Sequence, residues 1–176
     1  MTNKSDVRVP PFEVRLARPA ESGQICEVCT EGFTASSVGI LPPETILRQA
    51  GTYYSPARVR GEVESAGATR AWQGYVVAVN PDGRVLGAAG GGVREGQVGQ
   101  VYVLYLRTDL RGCGIGTALL DFVTEQQRRA GAREQWVSVT EGNDLGIPFY
   151  LARGFVERDR VPFVDGTWSL RMVRPL

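Results

Sequence analysis

The sequence predicts an α/β domain built around a mixed sheet. Extended and helical periodicities alternate along the chain. Three β-rich runs in its middle are joined by tight turns. A glycine-rich loop, Arg111-Gly112-Cys113-Gly114-Ile115-Gly116, separates the last of these runs from a long amphipathic segment. The 176 residues are enough for one well-filled core and short for two.

Residues 1–11 are polar and end in Pro10-Pro11, which reads as a loose lead-in, so the domain is expected over residues 12–176. Residues 12–17 alternate as a first strand. A helix is expected over about residues 21–31, with Ile25, Val28, Cys29 and Phe33 on one face. Residues 34–41 are small and polar, and Pro42-Pro43 opens a second short helix ending near Gly51. Ser55-Pro56 has the form of an N-cap followed by proline at the first helical position, leading a segment to about Ser65.

There the period changes. Residues 75–79 are β-rich, Asn80-Pro81-Asp82-Gly83 is a turn, and residues 85–93 continue extended, which makes a hairpin. Residues 94–99 form a second turn and residues 100–106 are the most β-prone stretch, so three strands run as an antiparallel meander. A helix runs from the glycine loop to about Ala130 and is closed by Gly131. Its apolar face carries Ile115, Leu119, Phe122 and Val123, while Asp121, Glu125, Arg128 and Arg129 face out. Residues 135–140 read as a strand and 144–153 as a short helix. Gly154-Phe155 begins another strand, and residues 168–173 form the last one after a turn at Asp165-Gly166. The order is β-α-α(-α)-β-β-β-α-β-α-β-β.

Composition narrows the chemistry. Lys plus Arg number 20 and Asp plus Glu 19, a balance with no electrostatic reason for a nucleic-acid or membrane partner. No apolar run approaches the roughly 20 residues of a spanning helix and no signal-peptide pattern precedes Pro10, so a cytoplasmic location is expected. Histidine is absent, which removes imidazole as base, nucleophile or metal ligand. Acid–base work falls to carboxylates, Tyr, Cys, Lys, main chain or water. Cys26 and Cys29 form a C-x-x-C that could be half a zinc site or a redox pair. With only Cys113 left, zinc would need a carboxylate ligand, and the two residues share helical spacing with Ile25 and Val28, which makes them small core residues. No metal is expected.

The glycine loop has a physical use. Glycines allow a tight turn and close approach of a ligand to main-chain N–H groups. The first N–H groups of a helix lack internal partners and its dipole favours negative charge, so an anion such as a pyrophosphate fits. Arg111 adds a fixed positive charge. A Walker loop would need G-x-x-x-x-G-K-[S/T], which is absent. A dinucleotide fingerprint would need Gly or Ala where Thr117 or Leu119 stands. A tight turn that binds nothing remains the plain alternative.

The run Leu104-Tyr105-Leu106 followed by Arg111-x-x-Gly114-x-Gly116-Thr117-Ala118-Leu119-Leu120 resembles the acetyl-CoA signature of the GNAT superfamily of N-acetyltransferases, written Q/R-x-x-G-x-G/A. Downstream, Asn143-x-x-x-Ile147-x-Phe149-Tyr150-x-x-x-Gly154-Phe155 resembles the superfamily's second motif. The specific motifs lie within residues 100–155 and the general resemblance covers residues 12–176. It implies a single α/β (α+β) domain with a mixed, mostly antiparallel sheet of six to seven strands, helices on both faces, and a bulged strand that splays from its neighbour to hold the cofactor.

The resemblance also implies roles. The pantetheine arm of acetyl-CoA would bond main-chain groups near Leu104 and Leu106. Arg111 and the main-chain N–H groups of Gly112, Cys113, Gly114, Ile115, Gly116 and Thr117 would hold the pyrophosphate. Asn143 would bond the arm, beside a helix-capping role of its own. Tyr150 matches the tyrosine that protonates the departing thiolate, and a phenol suits that task because it keeps its proton at neutral pH. Many members carry a Glu on the central strand where this chain has Gln100, which cannot accept a proton. Glu95, Glu62, Glu64 and water are left as bases, the three carboxylates also reading as solvated surface charges.

The acceptor pocket is expected in the variable segments 33–54 and 158–168, with Tyr53, Tyr54, Phe163 and Trp168 as candidates to line it or to pack as core. The expected activity is transfer of an acetyl group to a primary amine of a small molecule, or of a peptide or protein. A homodimer is a further implication. A non-catalytic acyl-CoA-binding or sensing domain on the same fold is the alternative, and an unrelated α/β domain with a dry glycine turn the third reading.

Overall fold

Seven strands hydrogen-bond into one sheet in a computed structural model that describes residues 9–176. The lead-in expected over residues 1–11 lies, up to residue 8, outside the described residues. In chain order the strands are β1 (Glu13–Leu16), β2 (Tyr75–Val79), β3 (Val85–Arg94), β4 (Val98–Leu106), β5 (Glu134–Thr140), β6 (Val156–Pro162) and β7 (Trp168–Pro175). Across the sheet they lie β1-β2-β3-β4-β5-β7-β6. Only β4 with β5 is parallel; the other pairings are antiparallel. The helices are α1 (Ser22–Ser37), α2 (Pro43–Tyr53), α3 (Pro56–Glu64), α4 (Ile115–Arg129) and α5 (Gly146–Leu151).

Successive residues of a strand point to opposite faces, and β2 shows why its run Y-V-V-A-V is apolar throughout. Val76 and Ala78 join Leu86, Ala89 and Val101 beneath α4 residues Ile115, Leu119 and Val123. Tyr75, Val77 and Val79 join Ile25, Val28 and Val59 of α1 and α3 on the other side. Both faces are therefore covered by helices, as the resemblance implied. Cys26 and Cys29 are free and buried among these apolar residues, and no metal-ligating cluster occurs among the described residues. No described helix is long and apolar enough to cross a membrane.

The outer edges of the sheet are short or charged. β1 has four residues, and β6 is exposed over nearly its whole length, with Glu157-Arg158-Asp159-Arg160 in succession and Pro162 at its end.

The sheet's central irregularity sits in β4. Gly90 lies opposite Val103 and Gly91 opposite Val101, so Tyr102 is an extra residue, a β-bulge. Beyond it β4 leaves β5. Their pairing covers only Val98–Val101 with Glu134–Val137, whereas β5 stays paired with β7 as far as Thr140. The two parallel strands thus form a V, closed at one end and open at the other.

Amides hold the closed end. The Nε2 of buried Gln127 on α4 donates to the carbonyls of Gly92 (3.2 Å) and Gln100 (3.0 Å). Gln135 of β5 donates from its own Nε2 to Gln127 Oε1 and Thr124 Oγ1, each at 2.9 Å. Arg174 of β7 donates to Gln135 Oε1 (2.9 Å) and Thr124 Oγ1 (3.1 Å). The network joins α4, β3, β4, β5 and β7. A Cβ at Gly99 would run into Gln127, which explains glycine at that place in a strand. At Gly92 a Cβ would run into the carbonyl of Ala71, because the segment leading into β2 lies directly on β3.

Boundaries shifted from the sequence expectation for local reasons. α1 continues to Ser37 because its last turn is packed rather than exposed: Phe33 and Ser37 are buried and Gly32 lies against Tyr105. β4 starts at Val98, since the turn before it takes only residues 95–97. Pro56 holds the first position of α3, while the Ser55 side chain makes no capping bond.

Replacing Gln127 by Leu keeps the volume and strands the groups it serves, so stability should fall by about 2–3 kcal/mol. Urea unfolding measures this. A loss below about 1 kcal/mol would mean that the amides do not close the V.

Candidate active site

The open end of the V is a cleft of about 650 Å³. One wall is β4 from Val101 to Leu106, the other β5 from Val137 to Thr140, with the start of α4, α5 and the last turns of α1 closing it around. From Tyr102 to Leu106 the main-chain edge of β4 facing β5 has no strand partner. Leu104 and Leu106 line the cleft at this edge.

The glycine loop forms one end. Gly112 and Gly114 have φ of +77° and +80°, the left-handed region in which a Cβ is strained. Both line the cleft and have no atom within 4 Å of a Cβ position, so space beside them is open. Gly116 differs. Its φ is helical, and a Cβ there would lie 3.1 Å from Phe149 Cε2 and 3.3 Å from Leu106 Cδ2. α4 has 15 residues and no side-chain cap, and its first internal bond runs from Ala118 N to the Gly114 carbonyl. The N–H groups of Ile115, Gly116 and Thr117 are therefore free of helical partners. Arg111 is exposed at the rim. Cys113 is 7% exposed, packs in the core and, unlike its neighbours Gly112 and Gly114, does not line the cleft.

Asn143, just after β5, and Tyr150 on α5 also line the cleft. The Asn143 Oδ1 accepts N–H bonds from Leu145 (3.1 Å) and Gly146 (2.9 Å), and its carbonyl accepts one from Ile147 (3.1 Å). It thereby starts α5, which begins later and ends sooner than residues 144–153, and it also lines the cleft. Tyr150 is 7% exposed, with edge-on contacts to Phe149 at 5.1 Å and Phe155 at 5.2 Å, and it reaches the cleft. Burial pushes the phenol well above its ordinary range, Tyr105 adds to the rise, and Arg153 opposes it. The proton is held firmly at neutral pH.

Residues 45–155 match the model of the acetyltransferase (GNAT) family. The chain belongs to this family.

The L-methionine sulfoximine/L-methionine sulfone acetyltransferase of Pseudomonas aeruginosa is 36% identical over 109 residues, covering 57% of this chain and 63% of that protein. The mycothiol acetyltransferase of Geodermatophilus obscurus is 37% identical over 71 residues, covering 40% of this chain and 22% of that protein. The chain thus spans less than two thirds of the length of the curated relatives it matches. The crystal structure of PaiA N-acetyltransferase from Thermoplasma acidophilum in complex with coenzyme A shares the fold, with a TM-score of 0.79 at 20% identity over 92% of this chain and 98% of that one.

Other members of the expected set lie elsewhere in this GNAT domain. Tyr53, Tyr54, Phe163 and Trp168 do not line the cleft. Tyr54 packs between Phe33 and Tyr105, at 6.3 and 5.9 Å between ring centroids. Tyr53 lies under Arg58 and Trp168 under Arg160, both at the surface. Gln100 is bound up with the closed end of the V, and Glu62 and Glu64 are paired with Arg58 and Arg60 four residues before them. Asp144 is the carboxylate on the cleft among the described residues.

In their place the cleft gains Phe33, Ser36, Ser37, Tyr102 and Tyr105. Their sequence signal was slight. Phe33, Ser36 and Ser37 fall at the start of the segment 33–54 expected to form the acceptor pocket, whereas no residue of 158–168 lines the cleft.

The two kinds of glycine should respond differently. Gly114→Ala is expected to lose about 1 kcal/mol or more to left-handed strain, while Gly116→Ala loses less because the Phe149 ring can give way by a few tenths of an ångström. Chemical denaturation of both variants decides; equal losses would contradict the distinction.

Proposed function

We propose that the protein transfers an acetyl group from acetyl-CoA to a primary amine of a small-molecule acceptor, with a peptide or protein amine as the second acceptor class. One observation carries the reading: the V between β4 and β5 opens onto a helix start whose glycines leave room for a ligand against bare N–H groups. The fit to acetyl-CoA is chemical. An uncapped helix start beside Arg111 suits phosphates, and an unpaired strand edge suits an arm carrying amide groups.

When bound, acetyl-CoA supplies the activated acyl group as a thioester. Arg111 and the N–H groups of residues 112–117 hold its pyrophosphate. Main-chain groups at Leu104 and Leu106, with Asn143, hold its arm. Tyr150 gives its proton to the departing thiolate, and its buried phenol is suited to that because it stays protonated. Gln100, Glu62, Glu64 and Glu95 lie away from the cleft and its one described carboxylate, Asp144, is exposed to solvent, so water accepts the proton of the attacking amine.

The acceptor enters beside the last turns of α1. Phe33, Tyr102 and Tyr105 offer apolar surface there, and Ser36 and Ser37 offer hydroxyls. A small amine of the amino-acid class suits this lining, and the Pseudomonas relative is named for such acceptors.

Acetyl-CoA at about 100 times its dissociation constant should stabilise the protein by about 2.7 kcal/mol, a rise of roughly 5–10 °C in melting temperature. No rise at millimolar concentration would remove the donor assignment. Release of free thiol over a panel of amines then tests transfer, and binding without release would favour a non-catalytic acyl-CoA-binding domain. Tyr150→Phe should lower turnover by about 10²–10⁴ with acetyl-CoA binding near normal, and unchanged turnover would remove the acid role. Because the phenol's pKa is raised, loss of its proton should not cut turnover below about pH 10. A fall below that pH seen in the parent and absent from Tyr150→Phe would contradict this.

A further inference from the structure

Arg153 lies on the cleft just past α5, and no role has been given to it. Its guanidinium is stacked 3.6 Å from the centroid of the Phe149 ring. Phe149 in turn rests against Gly116 in the first turn of α4. From this seat the side chain donates to Thr117 Oγ1 through Nε (3.2 Å) and through Nη2, and to the Phe149 carbonyl through Nη1 (2.7 Å). Three of its five N–H groups are thereby used. One on Nη1 and one on Nη2 have no partner among the described residues, and Arg153 lines the cleft.

The charge is likewise unanswered. Arg153 is half-buried, and no carboxylate pairs with it among the described residues. Its neighbour Arg174, which donates to the Arg153 carbonyl at 2.8 Å, adds a like charge. A half-buried guanidinium held flat by an aromatic ring, short of an anion and tied to the third residue of an uncapped helix, is arranged for a phosphate rather than for a carboxylate of its own chain.

Resting on the acetyl-CoA reading above, we infer that Arg153 is a phosphate ligand of the donor and binds its pyrophosphate. The bonds to Thr117 put the guanidinium at the same helix start that carries the glycine loop, so Arg153 and Arg111 would hold the pyrophosphate from two sides. The Phe149 stack fixes the plane of the fork before the ligand arrives. Arg153 thus does two things at once: it steadies α5 against α4, and it answers donor charge.

The test is titration of wild-type, Arg153→Gln, Arg153→Lys and Thr117→Val proteins with coenzyme A, dephospho-coenzyme A and pantetheine by calorimetry, which needs no acceptor. Arg153→Gln should weaken coenzyme A binding about 10- to 100-fold, the range of a charge-assisted hydrogen bond. The same factor is expected with dephospho-coenzyme A, which keeps the pyrophosphate, and no change with pantetheine, which lacks it. Arg153→Lys should recover part of the loss, and the loss in Arg153→Gln should shrink as salt rises.

Equal weakening for pantetheine and coenzyme A would reduce Arg153 to a structural staple and overturn the inference. So would a loss that disappears with dephospho-coenzyme A, which would move the contact to the 3′-phosphate. If Arg153→Gln does not fold, Thr117→Val carries the test, with an expected loss of about 3- to 10-fold for coenzyme A and dephospho-coenzyme A alike and none for pantetheine. Failure of the wild-type protein to bind coenzyme A would instead strike the donor reading itself.

Discussion

The molecule turns on one pair of parallel strands that begin together and part. β4 and β5 are joined over four residue pairs and no more. Sheets normally continue because every unpaired main-chain group buried away from water is costly. Here the bulge at Tyr102 redirects β4, and the amides of Gln127 and Gln135 fix the point at which separation starts. An open V in a sheet needs such a fastening, for otherwise the strands would either zip along their whole length or separate entirely. Helix α4 supplies the fastening with its last turns and the anion-ready end with its first. A single rigid element therefore sets the distance between the closed end of the V and the loop at its mouth.

The chemistry follows from that placement. Free N–H groups at a helix start have a direction, and the φ values of Gly112 and Gly114 turn the loop so that no side chain covers them. Tyr150 owes its firmly held proton to aromatic neighbours on α5 and at the start of β6, and those neighbours are also the contacts by which α5 is packed. The features suited to catalysis and those that stabilise the fold are in large part the same atoms.

Much of this was legible in the chain. The β-rich runs of residues 75–106, broken at Asn80-Pro81-Asp82-Gly83, are enough for the meander, and the apolar stripe from Ile115 to Val123 is enough for α4. The loop between them announced a tight turn with uncovered main chain through its glycines. Less legible was anything that depends on contact between distant segments. Residues 34–37 read as a loop because they are small and polar, yet they close α1 and bring Ser36 and Ser37 to the cleft. Tyr53 and Trp168 looked like pocket aromatics and instead sit beneath arginines at the surface, because ring chemistry alone does not say which side of a helix or strand faces the cleft. Tyr102 was hidden for the opposite reason: a bulge is a property of two strands, and the strand that reveals it contributes only glycines at Gly90 and Gly91.

The rims of the sheet bear on its solubility. A bare strand edge invites any passing chain to extend the sheet. β1 offers little length for that, and along β6 the run of alternating charges and the closing proline would have to be stripped of water before another strand could dock. The edge of β4 within the V carries no such guard, yet it is recessed between α1, α4 and α5. The same main-chain appetite that drives aggregation at an exterior rim is thus confined to an interior slot between helices.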